Sequence, residues 1–392
     1  MLMIDQKFEE VFTYEALYQA HMRGRLAKRD KKPLVRFENA MLGNLYNVYK
    51  KLQDGTFKLR GYNHFTVFEP KRREIQTLHY SDRVVQHVLC DDVLAPYFTK
   101  RTVIDNAVCQ KGKGSHFALR RFEDMLRGFI RTHGANGYFL KCDILKYFPT
   151  IPHARLKEIF CSQIRDVRIK ALLTMIIDSY HTDIAYLDRY GIRPIGSEPD
   201  KTGRGIPIGN QTSQVFGLFY LNEVDRFVKE KLRVKIYSRY MDDFVIVHES
   251  KEFLQKTLEQ LTVLVHRLGL EFNSKTQIFP LKNGVTYLGF RYYVTPTGKV
   301  VKTVKKQTKR RLRWRAKLLK KAAIEGLITS ERVQQSLAAF HGHLKHSRGY
   351  RLEKEILKKL SAYAAFGGAV TKPVTKPVTK PATKPATAPK NK

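Results

Sequence analysis

The sequence is poor in acidic residues, in cysteine and in long apolar stretches. It has 36 Asp and Glu against 72 Lys and Arg, and its four cysteines form no C-x-x-C pair. We therefore expect reduced thiols, and a zinc or disulfide framework has little support. No apolar run reaches the roughly 18 residues of a membrane helix, and the N-terminus lacks the basic and apolar regions of a secretory signal. These absences predict a cytoplasmic protein without a membrane partner.

What the sequence has in excess is positive charge. The formal net charge is +36 at pH 7, while 43% hydrophobic and 11% aromatic content is typical of a folded protein. Basic residues are found throughout the chain, most densely in residues 302–321. A compact protein keeps such an excess when it faces a polyanion, and nucleic acid is the partner that this charge pattern predicts.

Composition and periodicity divide the chain into four segments. We predict an α+β fold, because helix and strand patterns interleave around a small sheet, and a basic helical segment follows. The last segment repeats Thr-Lys-Pro, which blocks helix and sheet and offers almost nothing to bury, so we expect a disordered tail. The predicted segments are a helical extension (1–60), the α+β part (61–300), the basic helical part (301–363) and the tail (364–392).

The centre of the α+β part alternates between strand and helix. Apolar periodicity predicts the elements, and a tetrapeptide with two adjacent aspartates, Tyr240–Asp243, is expected between the last two strands. The predicted elements are a strand at 137–144, a helix at 153–180, a long helix at 212–232, and strands at 235–239 and 244–247.

Three aspartates lie where these strands end. Asp143 closes the first strand, and Asp242 and Asp243 lie at the turn between the last two. Nucleotidyl transfer uses two divalent cations about 3.5–4 Å apart, and Mg²⁺ prefers carboxylate oxygens. Paired aspartates in a turn more often form a solvated surface turn, so the pair alone does not decide between the two interpretations.

The neighbouring motifs favour the catalytic interpretation. Tyr240–Asp243 matches the Y-x-D-D box of reverse transcriptases, and Asp143 with Phe148 five residues later matches that family's first catalytic motif. The chain resembles a bacterial or phage reverse transcriptase over about residues 60–350. The other matching segments, in the family's order, are Pro70–Arg73, Ser81–Gln86, Gly205–Gln214, Asn273–Thr276, Tyr287–Phe290 and Gly342–His346.

The resemblance implies a right-hand polymerase. Fingers and palm would occupy 61–300, the palm being a small antiparallel sheet backed by helices, and a helical thumb would occupy 301–363. It implies an RNA template, a DNA or RNA primer and dNTPs as partners. It also implies two Mg²⁺ ions, with Mn²⁺ as a possible substitute, held by the catalytic residues Asp143, Asp242 and Asp243 and by the backbone carbonyl of Ile144.

The resemblance also implies a nucleotide site and a primer grip. In the family the aromatic at the position of Phe148 lies under the sugar and excludes a ribose 2′-hydroxyl, although an ordinary core aromatic is the alternative for this residue. Lys275 is as compatible with a surface lysine as with a triphosphate ligand. The implied nucleotide-binding residues are Lys71, Arg73, Phe148, Ile208, Gly209, Gln214 and Lys275, and the implied primer grip is Leu288, Gly289 and Phe290.

One segment predicts the kind of reverse transcriptase. Many family members carry Gln-Gly and then Ser-Pro where this chain has Ile208-Gly209 and Ser213-Gln214. This pattern resembles diversity-generating retroelements, whose enzyme copies a template-repeat RNA with errors at adenines and works with an accessory variability protein. A branched hydrocarbon in place of an amide removes hydrogen bonds, so discrimination depends more on shape and separates substrates less sharply. Low fidelity is the hypothesis that follows.

Two alternatives remain at this stage. A bacterial anti-phage defence reverse transcriptase would share the catalytic core and make cDNA for another purpose. A non-catalytic RNA-binding scaffold derived from a polymerase is the second, and the presence of Asp143, Asp242 and Phe148 argues against it.

Overall fold

The computed structural model describes residues 3–68, 72–192 and 203–364. The chain divides into two compact units, Met1–Val301 and Lys302–Lys392. Lys71 and the predicted tail beyond residue 364 lie outside the described residues. Within the described part, no helix combines the length and the hydropathy needed to cross a bilayer.

Four helices precede the first strand, in the segment where helices were expected. Leu45 and Leu52 are buried on one face of the last of them and belong to the same hydrophobic cluster as Phe244 of the central sheet. The N-terminal helices therefore contribute to the core of the larger unit. They are α1 (Phe8–Val11), α2 (Tyr14–Gly24), α3 (Lys32–Glu38) and α4 (Met41–Gln53).

An antiparallel hairpin follows as a separate two-stranded sheet. Its strands are β1 (Tyr62–Val67) and β2 (Arg73–Leu78), with Tyr62 opposite Leu78. The next helical stretch is continuous but contains a π-helical segment. Its parts are α5 (Tyr80–Val88), the π segment Leu89–Leu94 and α6 (Ala95–Phe98).

The prediction of one helix over 153–180 is wrong, because two helices occupy that range. Asp166 is extended, and its carboxylate accepts hydrogen bonds from the backbone N–H groups of Arg168 and Ile169. It therefore caps a new helix after the first has ended. The elements here are α7 (Ser115–His133), β3 (Tyr138–Asp143), α8 (Tyr147–Thr150), α9 (His153–Cys161), α10 (Val167–Asp178) and α11 (Ile184–Asp188).

The predicted long helix at 212–232 is likewise interrupted. It consists of α12 (Gln211–Phe219), α13 (Asn222–Arg226) and a π-helical segment, Phe227–Lys231. The two strands after it were predicted within two residues, but Tyr240 and Asp243 belong to the strands and only Met241 and Asp242 form the turn. The elements are β4 (Ile236–Tyr240), β5 (Asp243–His248), α14 (Lys251–Arg267) and β6 (Gln277–Pro280).

The central sheet has the strand order β4-β5-β3-β6, and every neighbouring pair is antiparallel. Helices α7 and α14 pack against it. Strand β6 was not predicted from the sequence; it ends in Pro280 at the edge of the sheet, where a missing N–H is tolerated. A small antiparallel sheet backed by helices was expected for this part of the chain, and it is present.

A second sheet has the strand order β7 (Val285–Tyr287), β8 (Phe290–Val294) and β9 (Val300–Val304). The chain then enters the basic unit, whose helices are α15 (Lys306–Ile324), α16 (Ser330–Leu344) and α17 (Tyr350–Ala364). These three helices pack against one another. Their small core consists of Leu312, Ala316, Val333, Phe340, Leu344, Leu352, Ile356 and Leu360.

Candidate functional site

The three predicted catalytic aspartates lie at one end of the central sheet. Asp143 ends β3 and is directly opposite Asp243, which begins β5, so both side chains are on the same face of the sheet. Asp242 lies in the two-residue turn that joins Tyr240 to Asp243. The strand register therefore brings Asp143 to the two adjacent aspartates.

The carboxylates lie in an environment that disfavours negative charge. Burial raises the pKa of Asp242 and of Asp243 to about 6, and the nearby charge of Asp143 acts in the same direction. The ammonium of Lys141 lies 3.5 Å from Asp243 Oδ2 and partly offsets this effect. Within the described residues, the other oxygen of Asp243, Oδ1, is buried without a hydrogen-bond partner.

Such a donor set fits a hard divalent cation, because carboxylate oxygens are the ligands that Mg²⁺ prefers. A cation would also satisfy the buried Oδ1 of Asp243. No group of three or more His, Cys, Asp or Glu in the described ranges is already arranged to hold a metal ion. The assignment of the ions to Asp143, Asp242, Asp243 and the Ile144 carbonyl stays a prediction.

The turn that carries Asp242 is held by a buried arginine. Met241 has a φ of 58°, a left-handed conformation that is uncommon for a residue other than glycine. Arg239 Nη1 donates a hydrogen bond of 2.9 Å to the carbonyl oxygen of Met241. The guanidinium is fully buried, and its Nη2 also donates to the carbonyl oxygen of Leu218 in α12 at 2.8 Å. Arg239 therefore joins the turn to the helix beside it.

Asp225 pairs with Arg239 in this buried network. Both side chains are fully buried, and the guanidinium binds the carboxylate in a bidentate manner, with Nε to Oδ1 at 2.6 Å and Nη2 to Oδ2 at 2.5 Å. The hydroxyl of Tyr237 and the amide of Asn106 donate to the same carboxylate. Removing one member of a buried pair typically costs about 3–5 kcal/mol, so the turn is attached to a rigid support.

Phe148, the predicted sugar gate, lies next to the same turn. A Cβ atom added to Gly217 of α12 would be 2.9 Å from Phe148 Cε1 and 3.1 Å from Met241 Sδ. Gly217 therefore contacts both the aromatic ring and the turn, and there is no space for a side chain between them. The hydroxyl of Tyr147 donates to the Gly217 carbonyl at 3.0 Å, which fixes the helix against the start of α8.

The segment Gly205–Gln214, which predicts the kind of reverse transcriptase, contacts β2 through Ile208 and Gly209. The N–H of Gln76 donates to the carbonyl oxygen of Ile208 at 3.0 Å. Gly209 has a φ of +139°, and a Cβ there would lie 2.4 Å from the Gln76 carbonyl oxygen. Close contact with the strand therefore requires glycine at this position. Gln214, one turn into α12, is exposed and accepts a hydrogen bond from the Cys109 thiol at 3.7 Å.

Of the predicted triphosphate ligands, Arg73 acts electrostatically on Asp242, and Lys275 is next in sequence to a residue that contacts Asp143. The positive charge of Arg73, at the start of β2, lowers the pKa of Asp242 against the larger effect of burial. Lys275 is exposed, and its backbone N–H donates to the Asn273 side chain in a tight turn. In the next residue, Thr276, the hydroxyl accepts a hydrogen bond from the Asp143 N–H at 3.2 Å.

The predicted primer grip is the turn of a tight hairpin. Tyr287 is opposite Phe290, and the two residues between them, Leu288 and Gly289, have φ values of 47° and 84°. Two positive φ values at these positions define a type I′ turn, so Gly289 is a turn glycine rather than a β-bulge. The Tyr287 hydroxyl shares a hydrogen bond with Ser238 of β4 at 3.0 Å, which attaches this hairpin to the central sheet.

The sequence analysis did not identify four residues of the site: Lys141, Gly217, Asp225 and Arg239. A signal existed for Lys141 and Arg239, because each is a basic residue inside an otherwise apolar strand, where a charge is rarely buried without a partner. Nothing local marks Gly217 or Asp225, since their contacts depend on how α12 and α13 pack against the sheet.

The family model described as reverse transcriptase (RNA-dependent DNA polymerase) matches residues 50–292. The match covers more than half of the chain and includes the three predicted catalytic aspartates, the Ile208 segment and the turn between β7 and β8. No curated protein matches the chain.

Proposed function

The chain belongs to the reverse transcriptase family and is an RNA-directed DNA polymerase, and from this premise we propose that it copies its template with errors at adenines, as enzymes of diversity-generating retroelements do. Ile208 is the observation that carries the proposal. Its backbone is hydrogen-bonded to β2, the strand that begins with Arg73, and its side chain is half-buried. It offers no hydrogen bond to a template base or a nucleotide.

The carboxylates of Asp143, Asp242 and Asp243, with the carbonyl of Ile144, are the groups that would hold two divalent cations. Bound there, the cations would lower the pKa of the primer hydroxyl and neutralise charge on the phosphates. Lys141 orients Asp243 through the 3.5 Å contact between ammonium and carboxylate. Arg239 fixes the backbone from which Asp242 projects.

The remaining site residues would select the nucleotide. Phe148 would exclude the 2′-hydroxyl of a ribonucleotide, and its ring packs closely against Gly217. Arg73 and Lys275 would attract the triphosphate by charge, as would Lys71. With an apolar residue at 208, the match between template base and nucleotide is tested mainly by shape, and a polar site rejects a wrong substrate more strongly than an apolar one.

Primer extension on an RNA template tests the proposal. Four templates that differ only in the first templating base would be copied with each dNTP alone, and misincorporation opposite adenine would be compared with that opposite the other bases. We expect Ile208→Gln to lower the adenine-specific error about tenfold, equivalent to about 1.4 kcal/mol of discrimination.

Ile208→Leu is the matched control, because it keeps the apolar character and the volume. It should retain the error at adenine. An adenine-specific error that is the same in wild type and Ile208→Gln would refute the role of Ile208. The flanking DNA distinguishes a diversity-generating retroelement from an anti-phage defence reverse transcriptase. A near-duplicate repeat that differs mainly at adenines, beside an accessory gene, is expected only for a retroelement.

A further inference from the structure

The single tryptophan of the sequence is in the basic helical unit, near the middle of α15. The side chain of Trp314 is 53% exposed. The buried residues of the same helix, Leu312 and Ala316, are each two positions away from it. Because an α-helix turns by about 100° per residue, Trp314 lies roughly 160° around the helix axis from both. The indole is therefore on the face of α15 that points away from the core of this unit.

The residues around Trp314 on this face are apolar or basic. Leu318, one turn further along α15, is 44% exposed. Arg310, one turn before Trp314, and Lys317, three residues after it, are exposed as well. Helix α15 contains nine Lys and Arg in 19 residues and no Asp or Glu. The face therefore combines a flat aromatic ring with positive charge on both sides of it.

This combination is complementary to a nucleic-acid strand. A partner that covered Trp314 would also remove water from Arg310 and Lys317, which is costly unless the partner brings negative charge. A nucleic-acid strand brings that charge in its phosphates, and its bases offer flat faces on which an aromatic ring can stack. Proteins that bind single strands use the same two components, a basic surface along the backbone and aromatic side chains under the bases.

The spacing of the cations along α15 also fits a strand. Arg310 and Lys317 are seven residues apart, which is about 10 Å along the helix axis at 1.5 Å per residue. Successive nucleotides of one stacked strand are about 3.4 Å apart, so roughly three nucleotides cover this distance. A base stacked on Trp314 would then have phosphates near both cations.

We propose that Trp314 is a stacking platform for an unpaired base of a nucleic-acid strand. Leu318 packs against the same base, and Arg310 and Lys317 bind the phosphates on either side of it. The base is unpaired because, inside a duplex, both faces of every base are covered by its neighbours. The proposal rests on the nucleic-acid binding that membership of the reverse transcriptase family implies, and not on errors at template adenines.

The fluorescence of the full chain tests this directly, because all tryptophan emission comes from Trp314. A single-stranded RNA and a long blunt-ended duplex RNA would be titrated at equal phosphate concentration, with EDTA present and without dNTPs, so that polymerisation does not contribute. A nucleobase stacked on an indole quenches its emission. We expect the single strand to quench the emission and the duplex to leave it nearly unchanged.

A strand without bases measures what the base contributes to affinity. By fluorescence anisotropy, wild type should bind a labelled single-stranded RNA about tenfold more tightly than an abasic strand with the same number of phosphates. Trp314→Ala should lose most of this ratio, and Trp314→Phe should keep much of it, since the smaller ring still stacks.

Two further variants separate stacking from general attraction. Arg310→Gln combined with Lys317→Gln should weaken the binding of both strands equally and keep their ratio, because each strand has the same phosphates. Tyr350→Ala removes another exposed aromatic ring of the same unit, from α17. It is the matched control for Trp314→Ala and should leave the ratio unchanged.

Quenching of equal size by the duplex would overturn the proposal, and so would a ratio that is the same in wild type and in Trp314→Ala. A shift of the emission with protein concentration in the absence of RNA would assign this face to a second copy of the chain instead. None of these results depends on the fidelity of synthesis, so this proposal and the proposed function fail separately.

Discussion

At the scale of single residues, Asp242 is unfavourable for the fold and is the residue proposed to bind a catalytic metal ion. It is a mostly buried carboxylate whose pKa is raised to about 6 by burial, with a further contribution from the charge of Asp143. A group in this position is unfavourable for the fold without a cation, and a cation held there would stabilise charge by several kcal/mol. We expect Asp242→Asn to reduce the rate of primer extension at least about 100-fold, as measured with saturating dNTP and Mg²⁺.

The same variant should not unfold the protein. Asn has nearly the shape of Asp and removes the repulsion from Asp143, so the melting temperature in EDTA should be unchanged or higher. Asp124→Asn, at an exposed position of α7, is the control and should leave the rate unchanged. A large loss of melting temperature in Asp242→Asn would assign the carboxylate a structural role.

Gly217 tests the contact between Phe148, the proposed sugar gate, and the turn that carries Asp242. An alanine methyl at this position would lie 2.9 Å from the Phe148 ring and 3.1 Å from Met241 Sδ, so these side chains must shift. Overpacking of this kind costs about 1–3 kcal/mol. We expect Gly217→Ala to raise the KM for dNTP about tenfold, with a smaller change in kcat, measured by steady-state primer extension.

A double-mutant cycle tests whether Gly217→Ala changes the KM through the Phe148 ring. In a Phe148→Ala background only the 3.1 Å contact with the flexible Met241 side chain remains, so Gly217→Ala should then have little further effect on KM. Gly128→Ala, in α7, is a matched control because nothing lies within 4 Å of the added Cβ; it should not change KM. Additive effects of Gly217→Ala and Phe148→Ala would show that the glycine does not act through the ring.

At the scale of elements, the β4-β5 hairpin depends on a side chain from within the hairpin itself. Arg239 in β4 bonds the carbonyl of Met241 two residues later and also Asp225 and Leu218 outside the hairpin. Lysine has one ammonium and cannot make these contacts together. We expect Arg239→Lys to lower kcat at least about tenfold and to leave the affinity for nucleic acid unchanged, measured by single-turnover extension and by anisotropy.

A second variant separates the effect of Arg239 on the stability of the fold from its effect on the position of the turn. Arg239→Met combined with Asp225→Asn removes both buried charges and keeps an acceptor for the Tyr237 hydroxyl, so it should recover much of the melting temperature that Arg239→Lys loses. It should not recover kcat, because the Met241 carbonyl still lacks its donor. Recovery of kcat with stability would mean that the pair only supports the fold.

Individual elements show what local pattern can and cannot predict. Strands β4 and β5 were predicted within two residues because residues of strand composition, Ile236-Tyr237 and Phe244–Val247, lie on either side of Tyr240–Asp243. Helices α9 and α10 were merged, although Asp166 is an N-cap residue that was available as a signal. The break between α12 and α13 has no glycine or proline, and it depends on tertiary packing that no local pattern contains.

The candidate site likewise contains residues that local pattern predicts and residues that it does not. Asp143, Asp242 and Phe148 were predicted because their spacing matches a family motif, and the strand register brings Asp143 opposite Asp243. Asp225 and Arg239 are 14 residues apart and meet only because α13 packs beside β4. Pairs of this kind require knowledge of the fold, since no period of helix or strand relates the two positions.

At the scale of the whole molecule, positive charge is distributed over both units rather than concentrated at the end of the chain. Residues 365–392 contain six lysines and no acidic residue, so 30 of the 36 net charges belong to residues 1–364. Nucleic-acid affinity falls with salt in proportion to the phosphates neutralised, with a slope of about −0.7 per phosphate for a single strand. Deleting residues 365–392 should therefore make the logarithmic salt slope shallower by at most about 4.

The truncated chain should still bind RNA in a salt-dependent manner and should extend primers at low salt as fast as the full chain, because the site residues all precede residue 292. Titrations from about 50 to 200 mM salt measure the slope. Replacing the six lysines by glutamine at full length is the control for chain length, and it should give the slope of the truncated protein. A truncated protein whose binding no longer responds to salt would locate the functional charge in the tail.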